Sequence, residues 1–554
     1  HSNANVRYGN HNTLITNAAV GYKFNHKLDF TVSGNFQQRN RFDEDYYEAY
    51  EDQFVSSESI RTIFGAPISD AGSKYPNQQL ALNKYAVNAY VNYNPVNRVN
   101  FAFSAGAEES EFHKAYAENI ATPFSYFKSG TQYADLRMNI HNLNGQVSYL
   151  QGTQAPALDT YGNEFDLNTI DAFFEFDLVI ASDKNETIGI AEKKFGEVSA
   201  SFLPKGHTIS IRPGYNFRKA VYNDSDYWNT DADEGLINGE GILQTNAISL
   251  KFDYDINKKF RLTSALRNDR HNYPDQNYLS FQNSIKYALN QKHLFRAVYS
   301  RSYRSVYIFD TYSDFQIVAP LSDDHAANLQ TLQATQGITS MAQYRFKYNG
   351  NRDLDLFKTD MIELGYRTKF NKNFSFDVEL FYNMMDNFVY PQQDTVIQGI
   401  PTRDAQIVTV PIDTLGNTMS LYNELEIYTV NNNRNIPQQA NQLGVTVSAN
   451  LLFANGDIQI KPYFTYQQTI INDFSPSTEY VASSPYPFVI FQPDENGNIT
   501  AVQQPDEVVE GTYESPRDGY NHRAIPNWFG GVYFNWQINR KFNVYLNLIW
   551  ENFK

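Results

Sequence analysis

The chain has 554 residues, no cysteine, and 45 Lys+Arg against 61 Asp+Glu, a formal net charge of -16. The acidic balance excludes a phosphate-gripping nucleic-acid binder, and the missing thiols exclude disulfides, thiol catalysis and thiolate metal centres. Aromatics supply 15% of residues although mean hydropathy is -0.53, and no run reaches the roughly 18 apolar residues that a spanning helix needs.

The chain opens on His1-Ser2-Asn3, with no initiator Met, charged n-region or apolar run. No signal peptide is legible, and the expectation is a piece of a longer chain. Leu14, Thr16, Ala18, Val20, Tyr22 and Phe24 then alternate with Thr13, Asn17, Gly21 and Lys23. Further on, Phe260, Leu262 and Leu266 oppose Arg261, Thr263 and Arg267. Ile362, Leu364, Tyr366, Thr368 and Phe370 oppose Glu363, Gly365, Arg367 and Lys369. Phe374, Phe376, Val378, Leu380 and Tyr382 oppose Ser375, Asp377, Glu379 and Phe381, and the pattern returns from Phe542 to Trp550. A strand sends such sets to opposite faces, one suited to lipid and one to water. Each run is about 9–11 residues, the length a tilted strand needs to cross a bilayer. A soluble sandwich or propeller also alternates, but its strands centre near 5–6 residues. Aromatics at run ends, such as Tyr85, Tyr93, Trp528 and Trp536, suit interfacial girdles.

Between the runs lies a recurring short polar turn. It occurs at Asn25-His26-Lys27, Asn94-Pro95-Val96-Asn97, Pro204-Lys205-Gly206, Asn257-Lys258-Lys259 and Asn290-Gln291-Lys292-His293. It recurs at Asn371-Lys372-Asn373, Asn455-Gly456-Asp457 and Asn539-Arg540-Lys541, with Asn142-Leu143-Asn144-Gly145 as a ninth candidate. Asn, Gly and Pro supply tight-turn chemistry. The remaining connections are long and polar, which a soluble domain rarely tolerates. Short turns at one end and long loops at the other define an outer-membrane type of β-barrel. The reading is all-β: a large antiparallel transmembrane barrel with short periplasmic turns and long extracellular loops. Eight or nine turns imply about 16–18 visible strands. The first visible strand runs down into Asn25 and the last runs up from Asn539, so both visible ends fall on the loop side. Residues 1–554 are then expected to be part of one barrel domain, with terminal strands missing.

No motif for hydrolysis, phosphate binding or metal ligation occurs; the ten histidines include no HExxH pair. No catalytic residue, metal or cofactor is expected. Acidic clusters at Asp43-Glu44-Asp45 and from Asp224 to Glu234 read as solvated loops, with calcium as the sharper alternative. Tyr46, Tyr47, Tyr50, Tyr227, Trp228, Tyr307 and Tyr312 are candidate ligand-loop residues, since aromatic faces stack on flat ligands; packing of loop on loop is the plainer reading. Register places Arg267, Arg304 and Arg367 towards the lumen, because an Arg facing lipid near midplane costs about 2–4 kcal/mol. There they would contact the wall or a plug, or line a transport path.

Two stretches carry a family resemblance. Tyr299-Ser300-Arg301-Ser302-Tyr303-Arg304-Ser305 resembles the "ysR-x-f-R-x-P" segment of TonB-dependent outer-membrane transporter barrels, and Leu266-Arg267-Asn268-Asp269 resembles their "l-R-y-D" strand. Asn351-Arg352-Asp353-Leu354, followed by Glu363-Leu364-Gly365-Tyr366-Arg367, is similar to the family's "N-x-x-L-x-P-E … E-x-G-y" motif. The matching positions are Arg267, Tyr303, Arg304, Glu363 and Gly365. The chain departs from the pattern at Leu356 and Phe357, which replace the Pro and Glu, and at Ser305-Val306 after Arg304. The Asn- and Tyr-rich strands resemble Bacteroidetes-type members. The resemblance implies a complete barrel of 22 strands, an N-terminal plug domain and a TonB box, neither of the last two being recognisable here.

The resemblance implies import of a nutrient across the outer membrane of a Gram-negative bacterium, driven through the TonB protein and the plug. An iron chelate (siderophore) and a glycan or peptide fragment are the two substrate expectations. Expected partners are TonB, outer-membrane lipid and lipopolysaccharide, and a surface lipoprotein in the glycan case, with no nucleic acid. The alternatives are a non-importing scaffold subunit of a larger envelope complex and a passive porin, whose usual strand number matches the turn count.

Overall fold

Alternation becomes long strands because each strand can put one face in lipid while its backbone pairs on both sides. The computed structural model describes residues 2–41, 46–48, 53–56, 59, 79–113, 126–156, 164–182, 197–200, 203–204, 207–227, 235–320, 340–401, 406–411, 418–422, 424–473, 479–483, 489–493, 499–503, 509–512, 520–521, 526–539 and 542–552. The main sheet among them has 22 strands. Three are short pieces, Leu178–Ser182, Glu197–Ala200 and Tyr520–Asn521, which leaves nineteen long wall strands. These are Ser2–Gly9, Thr13–Lys23, Leu28–Asn40, Leu80–Tyr93, Val99–His113, Tyr126–Ile140, Leu143–Pro156, Phe165–Phe176, Thr208–Asn223 and Glu240–Asp255. They continue with Phe260–His271, Asn277–Ala288, His293–Arg304, Phe357–Lys369, Phe374–Asp386, Gln439–Phe453, Ile458–Asn472, Trp528–Asn539 and Phe542–Glu551.

Each wall strand pairs antiparallel with the next in the chain. The wall is therefore one meander, with hydrogen-bonded neighbours that are also sequence neighbours. The count exceeds the 16–18 expected from turns. The extra strand, Ser2–Gly9, joins Thr13–Lys23 at the loop end and so escapes a count of opposite-end turns. It also places the start of the first described strand at the short-turn end, not the loop end.

Two faces separate cleanly. Val20, Val87, Ile248, Leu364, Leu380 and Leu443 are all exposed. Lined up across paired strands, they form a surface suited to lipid rather than to water. Asn17 and Asn35, Asp135 and Arg137, Arg267 and Asp269, and Glu363 and Glu379 occupy the other face. Phe381, which interrupts the alternation in the sequence, lies on that polar face opposite Gly444, whose missing side chain leaves room for the ring.

Four of the short turns share one construction. Asn25 Oδ1 accepts the amides of Lys27 and Leu28 at 2.7 and 3.0 Å. Asn257 does the same for Lys259 and Phe260, Asn290 for Lys292 and His293, and Asn371 for Asn373 and Phe374. The side chain thus satisfies donors that the turn would leave open. The ninth candidate is a genuine turn, formed by His141-Asn142 with Leu143 already in the next strand. The Pro204 candidate is not a tight turn: the connection there runs over residues 177–207 and contains the short strands Leu178–Ser182 and Glu197–Ala200. Lys205, Gly206, Arg540 and Lys541 lie outside the described residues.

At the loop end the connections build structure of their own. A six-stranded sheet runs in the spatial order Asp314–Pro320, Ser340–Asn349, Glu424–Ile436, Phe388–Pro401, Glu479–Ser483, Val509–Thr512. Beneath it, Tyr278, Val306, Leu354 and Leu356 form a buried knot at the rim, with Leu243, Tyr303 and Val389 packed against it.

Candidate functional site

The polar face of the wall carries linked charges. Arg212 reaches Asp177 at 3.1 Å, and Asp253 accepts from Arg261 at 3.1 Å and from Thr263 at 2.6 Å. Arg267 donates to Asp269 at 2.8 Å and to Asn216 at 3.1 Å, and Asn216 in turn donates to Asp171. Arg296 lies between two carboxylates. Its Nε is 2.6 Å from Glu363 Oε1, a charge contact without hydrogen-bond alignment, while Nη2 donates to Glu379. Gly365 faces Arg296 across the strand pair, and a Cβ there would stand 2.9 Å from Arg296 Nε. This accounts physically for two of the motif positions: Glu363 neutralises the guanidinium and Gly365 gives it space. Arg367 pairs with Asp377. These pairs keep a charged lumen wall internally compensated.

The rim at the loop end is a second, more elaborate arrangement. Helix Ile308–Tyr312 follows directly on wall strand His293–Arg304. Asp310 caps it, accepting the Tyr307 amide at 3.2 Å. Burial pushes the Asp310 carboxyl above its ordinary range, opposed by the Tyr307 amide and by Arg304. Asparagines lock the neighbouring loops to the helix. Asn433 Nδ2 donates to the Asp310 carbonyl at 3.2 Å, Asn351 Nδ2 to the Asn433 carbonyl at 3.0 Å, and Asn435 exchanges hydrogen bonds with the Asp355 backbone at 2.7 and 3.0 Å. On this base sit two guanidinium–aromatic stacks. The Arg304 guanidinium lies 4.9 Å from the Tyr307 and Phe357 ring centres, and that of Arg352 lies 5.1 and 4.8 Å from Tyr273 and Tyr312. Both Arg residues are exposed. The arrangement offers positive charge backed by flat apolar surface.

The sequence-selected residues are distributed over these two regions. Arg267, Glu363, Gly365 and Arg367 belong to the lumen wall. Arg304 extends from the top of its strand into the rim, where Tyr307 and Tyr312 join it. Tyr303 packs on Tyr278, with ring centres 5.0 Å apart. Tyr312 is not an open ligand face. Its hydroxyl donates to the Ile242 carbonyl at 2.8 Å, and burial raises its pKa. Tyr227 stands apart from the rim stacks, donating to Asp166 at 3.0 Å. Tyr46 and Tyr47 lie in a short strand, Tyr46–Glu48, paired with Gln53–Val55. Tyr50, Trp228 and the acidic residues 43–45, Asp231, Asp233 and Glu234 lie outside the described residues.

Asp224 is buried rather than solvated. It accepts the amides of Ile237 and Gly239 at 2.8 and 2.7 Å and so ties down its loop. No group of metal-ligating side chains occurs among the described residues. Tyr273 escaped the sequence reading, and Arg352 and Arg301, although they stand in the motif stretches, were given neither a role nor a partner there. Arg301 grips Asp360 with two hydrogen bonds, 2.8 and 3.0 Å, joining residues 59 apart in the chain. No periodic signal reveals such a partner; only the registered strand pair brings them together.

A meander of long strands with one lipid face, one charged face, short turns and structured loops defines an outer-membrane β-barrel wall. A family model described as "TonB dependent receptor-like, beta-barrel" matches residues 2–549, and the chain belongs to that family. It is thus an outer-membrane protein of a Gram-negative bacterium, a transporter and not an enzyme, and the family implies TonB and a small-molecule substrate as its partners. Among solved structures, the siderophore receptor PirA from Pseudomonas aeruginosa is similar at 10% identity and TM-score 0.53, covering 98% of this chain and 68% of that one. A mutant of the ferric enterobactin receptor PfeA from Pseudomonas aeruginosa is similar at 12% identity and TM-score 0.57, covering 100% and 67%. PirA from Acinetobacter baumannii follows at 11% identity and TM-score 0.54, covering 100% and 68%. A search of the curated proteins found no match.

Proposed function

We propose that the transporter imports an anionic, aromatic-rich iron chelate of the siderophore type, captured at the loop-end rim. The observation that carries this reading is the pair of guanidinium–aromatic stacks, Arg304 with Tyr307 and Phe357, and Arg352 with Tyr273 and Tyr312. In a chain of net charge -16, exposed cations held in place at the mouth select for negative charge against the background field. A neutral glycan fits less well, because the ring faces it would stack on are already covered by guanidinium groups. The similar solved structures, receptors for siderophores and ferric enterobactin by name, point the same way. In this reading a plug domain in a longer chain couples the barrel to TonB.

The test is uptake of a radioiron-labelled catecholate chelate by cells making the full-length protein. Uptake is expected to stop when a protonophore collapses the proton-motive force, and the Arg304→Ala/Arg352→Ala protein is expected to bind the chelate about tenfold or more weakly. Uptake that survives the protonophore would indicate passive passage and refute energy coupling. Unchanged affinity in the double variant would refute the rim as the capture site.

A further inference from the structure

The short-turn rim has a charge opposite to that of the whole molecule. In a chain of net charge -16, the described turns at residues 24–27, 94–98, 141–142, 256–259, 289–292, 370–373 and 454–457 hold six cations and one anion; the described residues of the longer connection, between Phe165–Phe176 and Thr208–Asn223, add the anions Asp177 and Glu197 and leave the balance positive. The cations are Lys27, Arg98, Lys258, Lys259, Lys292 and Lys372, and the anion in the turns is Asp457. All six cations are exposed. None of them enters an ion pair among the described residues, whereas Arg212, Arg261, Arg267, Arg296 and Arg367 on the wall all do. The Asn-centred turns fix the backbone from which three of them, Lys27, Lys259 and Lys292, project.

The turns also have a definite depth. Aromatic clusters lie on the strands immediately beside them: Tyr22, Phe24 and Phe30 near Lys27, and Phe260 stacked on Tyr287 at 4.4 Å near Lys258 and Lys259. Phe370 stacks on Phe374 at 5.0 Å around Lys372. Aromatic rings of this kind settle at the membrane–water interface. The cations beyond them therefore stand at the level of the headgroups of the periplasmic leaflet.

We propose that this basic collar binds the phosphate-bearing headgroups of anionic glycerophospholipids in the periplasmic leaflet. The unpaired, exposed cations at headgroup depth supply the recognition, and the aromatic belt holds them there. Each cation near an anionic surface is worth about fivefold in apparent affinity. The interaction is independent of the nutrient captured at the other rim.

The test uses the full-length protein reconstituted in vesicles of phosphatidylethanolamine with a minor share of phosphatidylglycerol, then extracted gently for native mass spectrometry of retained lipid. Phosphatidylglycerol is expected to be retained several-fold above its share in the vesicle. Raised salt should abolish the excess. The sextuple variant Lys27→Gln, Arg98→Gln, Lys258→Gln, Lys259→Gln, Lys292→Gln, Lys372→Gln is expected to lose it, and the matching set with Arg at the five lysines to keep it. Heat-modifiable migration on gels verifies that each variant is folded, and a triple Gln variant at Lys258, Lys259 and Lys292, with partial loss expected, serves if the sextuple is not. No excess in the wild type, or equal excess in the wild type and the Gln variants, would overturn the proposal. Binding to purified peptidoglycan that falls in the Gln variant while lipid retention does not would assign the collar to the cell wall instead.

Discussion

Arg296 provides a test in which the sign of an effect reverses. Its guanidinium contacts Glu363 at 2.6 Å and also Glu379, above the space left by Gly365. Hydrogen bonds to charged groups are worth about 1.5–3 kcal/mol, and a charge contact without hydrogen-bond alignment lies at or below the lower end of that range. Arg296 and Glu363 side chains are 31% and 15% exposed, so solvent screening reduces that to about 1–2 kcal/mol. Glu363→Gln in the wild-type protein is therefore expected to destabilise by about 1–2 kcal/mol. In an Arg296→Gln background, Glu363 and Glu379 confront each other without a cation. Removing one carboxylate there relieves repulsion and is expected to stabilise by up to about 1 kcal/mol. The coupling in the double-mutant cycle is then about 1–3 kcal/mol, above the scatter of independent sites. The assay is equilibrium unfolding in denaturant, with the protein in lipid or detergent and followed by the fluorescence of its four tryptophans. Additivity within about 0.5 kcal/mol would refute the bridging role of Arg296.

Three further outcomes follow from the loop-end rim. Asp310 has its carboxyl held above the ordinary range by burial, so the folded rim binds more protons than the unfolded chain does; its stability falls as pH rises from the ordinary carboxylate range through the folded value. Asp310→Asn is expected to flatten that slope in amide-exchange measurements across residues 307–313, and an unchanged slope would exclude Asp310 as its source. Asp224→Ala leaves the Ile237 and Gly239 amides without their acceptor and is expected to cost about 1–3 kcal/mol locally. Fast exchange of those two amides with the wall strands still protected is the predicted signature. Leu356→Ala opens a cavity in the rim knot, where Leu356 is fully buried, at about 2–5 kcal/mol; a loss below about 1 kcal/mol would show that the knot collapses around the gap.

The wall was legible because a strand has the shortest possible periodicity, and lipid on one face enforces it over many residues. Ile362, Leu364 and Tyr366 keep to one side and Glu363, Gly365 and Arg367 to the other, and the paired strand repeats the division with Tyr382, Leu380 and Val378. The rim was not legible. Leu354 and Leu356 read in sequence as stray apolar residues in a polar loop, and their burial depends on Tyr278 and Val306 arriving from elsewhere. The loop-end sheet pairs Ser340 with Glu424 and Gln343 with Glu426, separations that no local pattern announces. Asp224 and Tyr312 failed for a shared reason: polar groups in a loop look solvated until the backbone groups they bond are known. The motif positions Glu363 and Gly365 were found by resemblance, and their role became physical only with Arg296 in place.

The side-chain-locked turns have a consequence for how such a chain can diverge. One residue inserted beside Asn257 or Asn290 would shift a strand's register and exchange its lipid and water faces. Residues added to the long connections at the other end leave every wall face as it was. Change in the sequence is therefore channelled to one side of the membrane. The molecule can acquire new ligands there by drift in length and composition, while the opposite rim, apart from the connection over residues 177–207, stays nearly fixed in length and form.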